Sequence, residues 1–288
     1  MTATFNETDA AAGSRSVDSE TQRVNDALDA LLAAHDPSAM DNAEFRGHRF
    51  DAGLAWVHFA EGDGGLGLRP ELNRIVERRL KEAGAKPTDP SAFFMALAGP
   101  TIATHGDDSV KERFLRPMFT GKEKWCQLFS EPGAGSDFAG LGTRAERDGD
   151  EWIVNGQKVW ISRVQHSDWM ILLARTTPLS EVKKKSEGMS IFMVDLREAE
   201  KSGMTVRPIA NMVNHETNEL FFENLEIPAE NLIGEEGKGF KYILDGLNAE
   251  RTLIAAECIG DGYWFIDRVT QYVKERTVFG RPIGQNQG

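Results

Sequence analysis

Apolar residues recur at helical spacing through the first part of the chain. Val24, Leu28, Leu31 and Leu32 share one helix face, and Leu72, Ile75, Val76 and Leu80 repeat that spacing. Residues 21–122 are therefore predicted to form an N-terminal helical domain of several amphipathic helices. Glu61 to Gly67 (EGDGGLG) holds too much glycine for a helix interior, and Pro70, Pro87, Pro90 and Pro100 read as helix starts or connectors. Met1 to Glu20, rich in small, hydroxyl and acidic residues, reads as a disordered leader.

The texture changes near Lys124. Short β-type runs follow at Trp125 to Phe129, Trp152 to Val154, Val159 to Ile161, Trp169 to Leu173, Ser190 to Val194 and Glu219 to Leu225. Turn signals at Asp148-Gly149 and Asn155-Gly156 favour tight hairpins, so residues 123–236 are predicted to form a middle antiparallel β-domain. Ser180 to Gly188, with Lys183, Lys184 and Lys185, reads as an exposed loop between strands. Helical spacing returns from Gly239 through Ile243, Leu247, Ile254, Ile259, Phe265, Val269, Tyr272 and Val273. Gly246, Gly260 and Gly262 each cost roughly 1 kcal/mol against Ala, so this long helix is expected to be interrupted or closely packed. Residues 237–288 then form the start of a C-terminal helical bundle whose remainder is expected to lie beyond Gly288. The fold class is α+β and multi-domain.

Composition narrows the function classes. Hydrophobic residues make up 40% and charged residues 27% of 288, ordinary values for a globular chain. A net charge of -12 works against a nucleic-acid backbone as partner, although local backbone N–H groups can still hold a nucleotide cofactor. Cys126 and Cys258 lack disulfide-framework or metal spacing, and no metal site is expected. With neither a secretory signal nor an apolar run near the ~20 residues of a membrane helix, the expected location is the cytoplasm.

Two segments carry candidate chemistry. Ser130 to Asp137 (SEPGAGSD) follows a predicted strand; Gly133 and Gly135 permit close backbone approach, while Ser130 and Ser136 offer hydroxyls to a polar or anionic ligand. An ordinary glycine loop is the plain alternative. In Asn155 to Ser162 (NGQKVWIS), Trp160 suits covering a planar cofactor and Ser162 its polar edge, against the alternative of a core tryptophan and a solvent serine. His105 and His215 lack partners at ligand spacing and read as hydrogen-bonding residues of loops or the surface. Glu131 and Asp137 would repel a pyrophosphate if aimed at it, so they are expected to turn outward, to pair or to fix the loop.

The order of these segments, together with Gly99-Pro-Thr101, Phe221 to Gly234, Glu250-Arg251 and Lys274 to Pro282, resembles the acyl-CoA dehydrogenase family from about Leu28 to Gly288. The resemblance implies FAD as cofactor, held between the middle β-domain and the C-terminal helices. It places Gln127, Phe129, Ser130, Gly135 and Ser136 along FAD, with Trp160, Ile161 and Ser162 around the isoalloxazine. Arg276, Phe279 and Gln287 match positions that reach the FAD of a neighbouring subunit, implying a homodimer or homotetramer. Ser136, Asn248 and Arg251 match positions near the CoA portion of the substrate, with Asn248 standing where related enzymes can carry Asp. Glu250 is the candidate base that removes the proton α to the thioester; otherwise the base lies in the C-terminal segment beyond this chain.

The implied activity is α,β-dehydrogenation of an acyl-CoA, with electrons passed to an electron-transfer flavoprotein-type carrier. An acyl-CoA oxidase, or a non-catalytic subunit of a heteromeric dehydrogenase, is the alternative. Residues 1–288 alone are expected to be inactive or poorly flavinated.

Overall fold

The computed structural model describes residues 7–87, 95–212 and 216–286, without the side chains of 7–18, 95–97 and 249. Pro90 therefore lies outside the described residues. Five helices come first: α1 (Glu7–Ala34), α2 (Asn42–Asp51), α3 (Asn73–Glu82), α4 (Met95–His105) and α5 (Asp108–Thr120). The predicted apolar stripes meet, since Val24, Leu28 and Leu31 of α1 are buried with Leu72, Val76 and Leu80 in one cluster. Polar neighbours fix the register of the pair, Arg79 reaching Asp29 at 2.6 Å and Arg69 reaching Glu20 at 2.6 Å.

Two expectations for this region need correction. α1 starts at Glu7, inside the stretch read as a disordered leader; the sequence there is rich in alanine, a strong helix former. Pro100 lies inside α4 instead of starting a helix. Packing of α4 against α5 and the later helix offsets the ~3 kcal/mol that an interior proline costs. α5 is bounded as its ends dictate: Asp107 accepts from the Val110 N–H at 2.9 Å, and Gly121 closes the helix at φ 78°.

The second part is one sheet with helical excursions: β1 (Trp125–Leu128), β2 (Arg144–Asp148), β3 (Glu151–Ser162), β4 (Trp169–Arg175), β5 (Met189–Asp195), α6 (Leu196–Ala199), β6 (Met204–Pro208), β7 (Thr217–Pro228) and β8 (Leu232–Ile233). Its strand order is β6-β7-β3-β2-β4-β5-β8, with β1 also paired to β4. Most pairs are antiparallel, but β1 runs parallel to β4, as does the single β2–β4 contact. The sheet is thus mixed. The glycine loop and the β2–β3 hairpin lie between β1 and β4 and supply the long connection that a parallel pair requires.

Asp148-Gly149 does turn a tight hairpin, with Asp148 opposite Glu151. Asn155-Gly156 does not. It lies within β3, at a shift of register against β7, so the two predicted short strands are one of 12 residues. The reason for glycine is proximity: a Cβ on Gly156 would sit 2.7 Å from Thr143 Cα and 2.5 Å from its hydroxyl.

Alternation along β1 and β4 separates two cores. Trp125, Ile171 and Leu173 face α4 and α5, whereas Cys126, Leu128, Met170 and Leu172 face the opposite cluster with Trp152, Phe192 and Leu220. Burial on both sides explains the unbroken apolar run of β4. Phe114 of α5 meets Trp125 and Trp169 edge-on, at 5.3 and 4.8 Å between centroids, and docks the helical domain on the sheet.

The last helix, α7 (Gly239–Glu275), runs uninterrupted for 37 residues through all three glycines. A small hairpin follows, β9 (Thr277–Val278) and β10 (Arg281–Pro282). Only the start of α7 packs on the body, where Tyr242 and Ile243 are buried; Ile259, Trp264, Phe265 and Val269 are exposed. None of the described helices is long and apolar enough to cross a membrane.

Gly156→Ala should lower stability by more than ~1 kcal/mol, because the new Cβ meets backbone that cannot retreat. The midpoint of denaturant unfolding measures it, and an unchanged midpoint would contradict this packing.

Candidate functional site

The site begins with the phase of β1. Gln127 shares its face with Trp125 and so points toward the helical side, where α7 passes. The strand then opens into Ser130–Asp137, whose glycines are unobstructed: a Cβ at Gly133 or Gly135 would meet nothing within 4 Å. A cavity of about 400 Å³ results, lined by Gln127, Phe129, Ser130, Gly135, Phe138, Trp160, Ile161, Ser162, Leu247 and Glu250.

Eight of the residues singled out from sequence thus share one cavity. Trp160 enters it through a local fault in β3. Register slips between Lys158 and Ile161, Trp160 adopts a left-handed backbone at φ 63°, and its ring stays 64% exposed. A bulge turns the side chain out of the sheet, and a bulky residue held there stores strain of the order of 1–3 kcal/mol. Glu250 comes from α7 on the other side. Gln127 Nε2 lies 3.4 Å from each of its carboxylate oxygens, two long hydrogen bonds across the cavity.

Beneath the glycine loop is a charged pair that sequence reasoning missed. Lys158 is completely buried, and its ammonium donates to Glu131 Oε1 at 2.8 Å and to the Phe129 carbonyl at 3.2 Å. Glu131 also accepts from the N–H groups of Gly142 at 2.6 Å and Thr143 at 3.0 Å. The expectation that this carboxylate turns outward needs correction: it fixes the loop by pointing into the protein, because Lys158 and two backbone N–H groups receive it there. Burial lowers the Lys158 pKa to about 8 although the Glu131 charge opposes it, so the ammonium is retained at neutral pH. For Glu131, burial would raise the pKa, but the Lys158 charge and the converging donors hold it below the ordinary carboxylate value. One signal was available. Counting by twos from Trp152 and Val154 puts Lys158 on an inward phase, where a lysine requires a carboxylate.

Other predicted residues lie elsewhere. Ser136 is exposed beside the cavity and does not line it. Asn248 and Arg251 are exposed on α7 and bond each other at 2.8 Å. Arg276 and Phe279 lie beyond the far end of α7, 26 residues past Glu250 or roughly 40 Å along a helix at 1.5 Å per residue. Phe279 is 99% exposed at the tip of the β9–β10 turn, where it and Gly280 both have positive φ. Gln287 and His215 lie outside the described residues. His105 ends α4, bonds Asp245 at 2.7 Å and stacks on Tyr242, tying α4 to α7. Asp137 lies 3.4 Å from Lys185. Phe138 and Leu247 line the cavity without having been named as site residues, Leu247 only as part of the helix's apolar spacing; Phe138 stacks on Phe240 at 5.2 Å.

The donor set suits a flavin. An exposed aromatic face, two serine hydroxyls at Ser130 and Ser162 with no bond to a described residue, and an open glycine edge match a large planar ring with polar rims and an anionic tail.

The chain is similar to known proteins along most of its length. The acyl-CoA dehydrogenase middle-domain family model matches residues 126–225, and that of the acyl-CoA dehydrogenase C-terminal domain matches residues 237–288. The mouse mitochondrial long-chain specific acyl-CoA dehydrogenase is 34% identical over 244 residues, covering 82% of this chain and 54% of that one. Cyclohex-1-ene-1-carbonyl-CoA dehydrogenase of Syntrophus aciditrophicus is 37% identical over 232 residues, covering 76% and 52%. The crystal structure of an acyl-CoA dehydrogenase from Geobacillus kaustophilus superposes with a TM-score of 0.65 at 28% identity, over 93% of this chain and 72% of that chain. The chain spans about half the length of these curated relatives.

Glu131→Gln should cost about 3 kcal/mol at pH 7 by leaving Lys158 buried without its counter-charge. Because the folded-state pKa of Glu131 is depressed, the gap from wild type is full above pH 4.5, its ordinary value, and closes as pH falls through the lower folded value. Unfolding free energies across pH 3–7 check both size and sign; a gap independent of pH would contradict the pairing.

Proposed function

Because the chain belongs to the acyl-CoA dehydrogenase family, whose members are FAD-dependent oxidoreductases, we propose that the whole protein uses FAD to dehydrogenate an acyl-CoA thioester between its α and β carbons. The electrons then pass to an electron-transfer flavoprotein-type carrier. The carrying observation is that the Glu250 carboxylate shares one cavity with Trp160, Ser130 and Ser162.

In this reading the chain supplies position and a base. Trp160 covers one face of the ring, and its exposed, strained placement is what such a contact requires. Ser130 and Ser162 donate to polar edges, while the glycine loop presents backbone to the anionic part. Bound flavin would supply the hydride acceptor. Glu250 takes the proton α to the thioester carbonyl, and the Gln127 amide holds its carboxylate at the cavity wall until substrate enters. Asn248 and Arg251, one turn apart on the same helix, are placed along the CoA arm with Ser136.

The far hairpin bears on assembly. An aromatic ring left bare on a two-residue turn, remote from its own cavity, supports a homo-oligomer in which Phe279 and Arg276 reach a neighbour's flavin.

Glu250→Gln should lower kcat by about 10²- to 10⁴-fold, the usual contribution of a general base, while flavin content stays at the wild-type level. Flavin bleaching by a panel of acyl-CoAs measures it. Normal turnover by the variant would remove Glu250 from the mechanism.

A further inference from the structure

The glycine loop is fastened at both ends by buried cations, neither of which lines the cavity. At its start, β3 takes two consecutive carbonyls: the Lys158 ammonium donates to Phe129 at 3.2 Å and the Val159 N–H to Ser130 at 3.0 Å. At its far end, Arg175 of β4 donates to the Ala139 and Leu141 carbonyls at 2.8 and 3.3 Å. The same guanidinium reaches the Lys185 and Glu187 carbonyls of the next loop at 3.0 and 2.9 Å. Glu131 joins the two ends. Its backbone exchanges two 3.0 Å hydrogen bonds with Ala134, while its carboxylate spans 11 positions of chain to the Gly142 N–H.

Of these contacts, the Lys158 ammonium is the one on which the others turn. The Glu131 side chain is 10% exposed and stays inward because a cation faces it there. Without that cation the carboxylate turns to water, and the Gly142 and Thr143 N–H groups and the Phe129 carbonyl lose their partners. Ser130, which lines the cavity between those points, then loses its fixed backbone. Trp160 stands two residues farther along the strand that carries Lys158. Around Lys158 the charged groups are Glu131 from the loop and, acting on Glu131 from β4, Arg175. On β7 the residue opposite is Leu220, and the adjacent Glu219 is bonded to Gln157.

We infer that the Lys158 ammonium is a positioning group for the flavin, holding the glycine loop in the shape that presents Ser130 and the open backbone at Gly133 and Gly135. The inference rests on the flavin reading of the cavity. A loop poor in side chains binds best when it is fixed beforehand, and one that keeps the binding arrangement a tenth of the time binds about tenfold more weakly. Burial brings the Lys158 pKa down to about 8, so the ammonium prevails at pH 7 and is largely gone at pH 9. Flavin affinity should therefore fall across that interval.

The test is a calorimetric titration of FAD into the full-length protein stripped of flavin, for wild type, Lys158→Met and Lys158→Met/Glu131→Gln. The double variant leaves neither charge of the pair without its partner, so its unfolding midpoint should stay near that of wild type where the single variant folds poorly. Both variants should bind FAD about tenfold more weakly than wild type at pH 7. Wild-type affinity should fall about tenfold between pH 7 and pH 9, and that of the variants should stay level. A merely structural role would lower the unfolding midpoint without removing this pH dependence. Equal FAD affinity in wild type and the double variant overturns the inference, as does a pH profile that the variants share with wild type; either result leaves the flavin reading standing. Failure of wild type to bind FAD overturns the flavin reading and this role together.

Discussion

The site depends on one buried ion pair. A glycine loop has few side chains with which to pack, so its shape must be imposed from outside, and Lys158 and Glu131 impose it. Removing both charges from water is costly, and attraction alone seldom compensates. Here the additional donors and acceptors close the account: Glu131 receives two backbone N–H groups as well as the ammonium, and Lys158 reaches the Phe129 carbonyl. The pair thereby joins the end of β1, the return of the loop at Gly142 and the middle of β3. Those three segments bring Phe129, Ser130 and Trp160 together.

Around that anchor the sheet acts as a two-sided reference plane. Because β1 and β4 are buried on both faces, alternation gives each residue a fixed side, and Gln127 falls on the side that α7 crosses. Regularity ends where the ligand would lie. The bulge at Lys158–Ile161 turns Trp160 outward at a backbone geometry few large residues adopt, and the surrounding strand pairs hold it there. Order at Lys158 and strain at Trp160, two residues apart, are complementary parts of one arrangement.

Much of this was legible in the chain. Helical spacing gave the paired stripes of α1 and α3, and apolar runs found β1, β4, β5 and most of β7. The strands β2 and β6 escaped notice because exposed charged residues obscure their alternation. Asn155-Gly156 misled for a different cause: a dipeptide suited to a turn also suits a close approach of two backbones, and only the position of Thr143 distinguishes them. The glycine loop and the tryptophan strand were recognisable as chemistry, yet Lys158 passed unremarked inside the second motif.

By itself, then, the sequence determined the class of most segments, the family and the residue types available to a flavin. These follow from local spacing and from motifs read in order. Tertiary structure decided which of those residues meet. Glu250 faces Gln127 across 123 positions of chain, Glu131 turns inward because Lys158 is there to receive it, and Arg175 binds two loops that share no motif. Each depends on distances between remote segments, set by the packing of the sheet against its helices, and local periodicity carries no record of such distances.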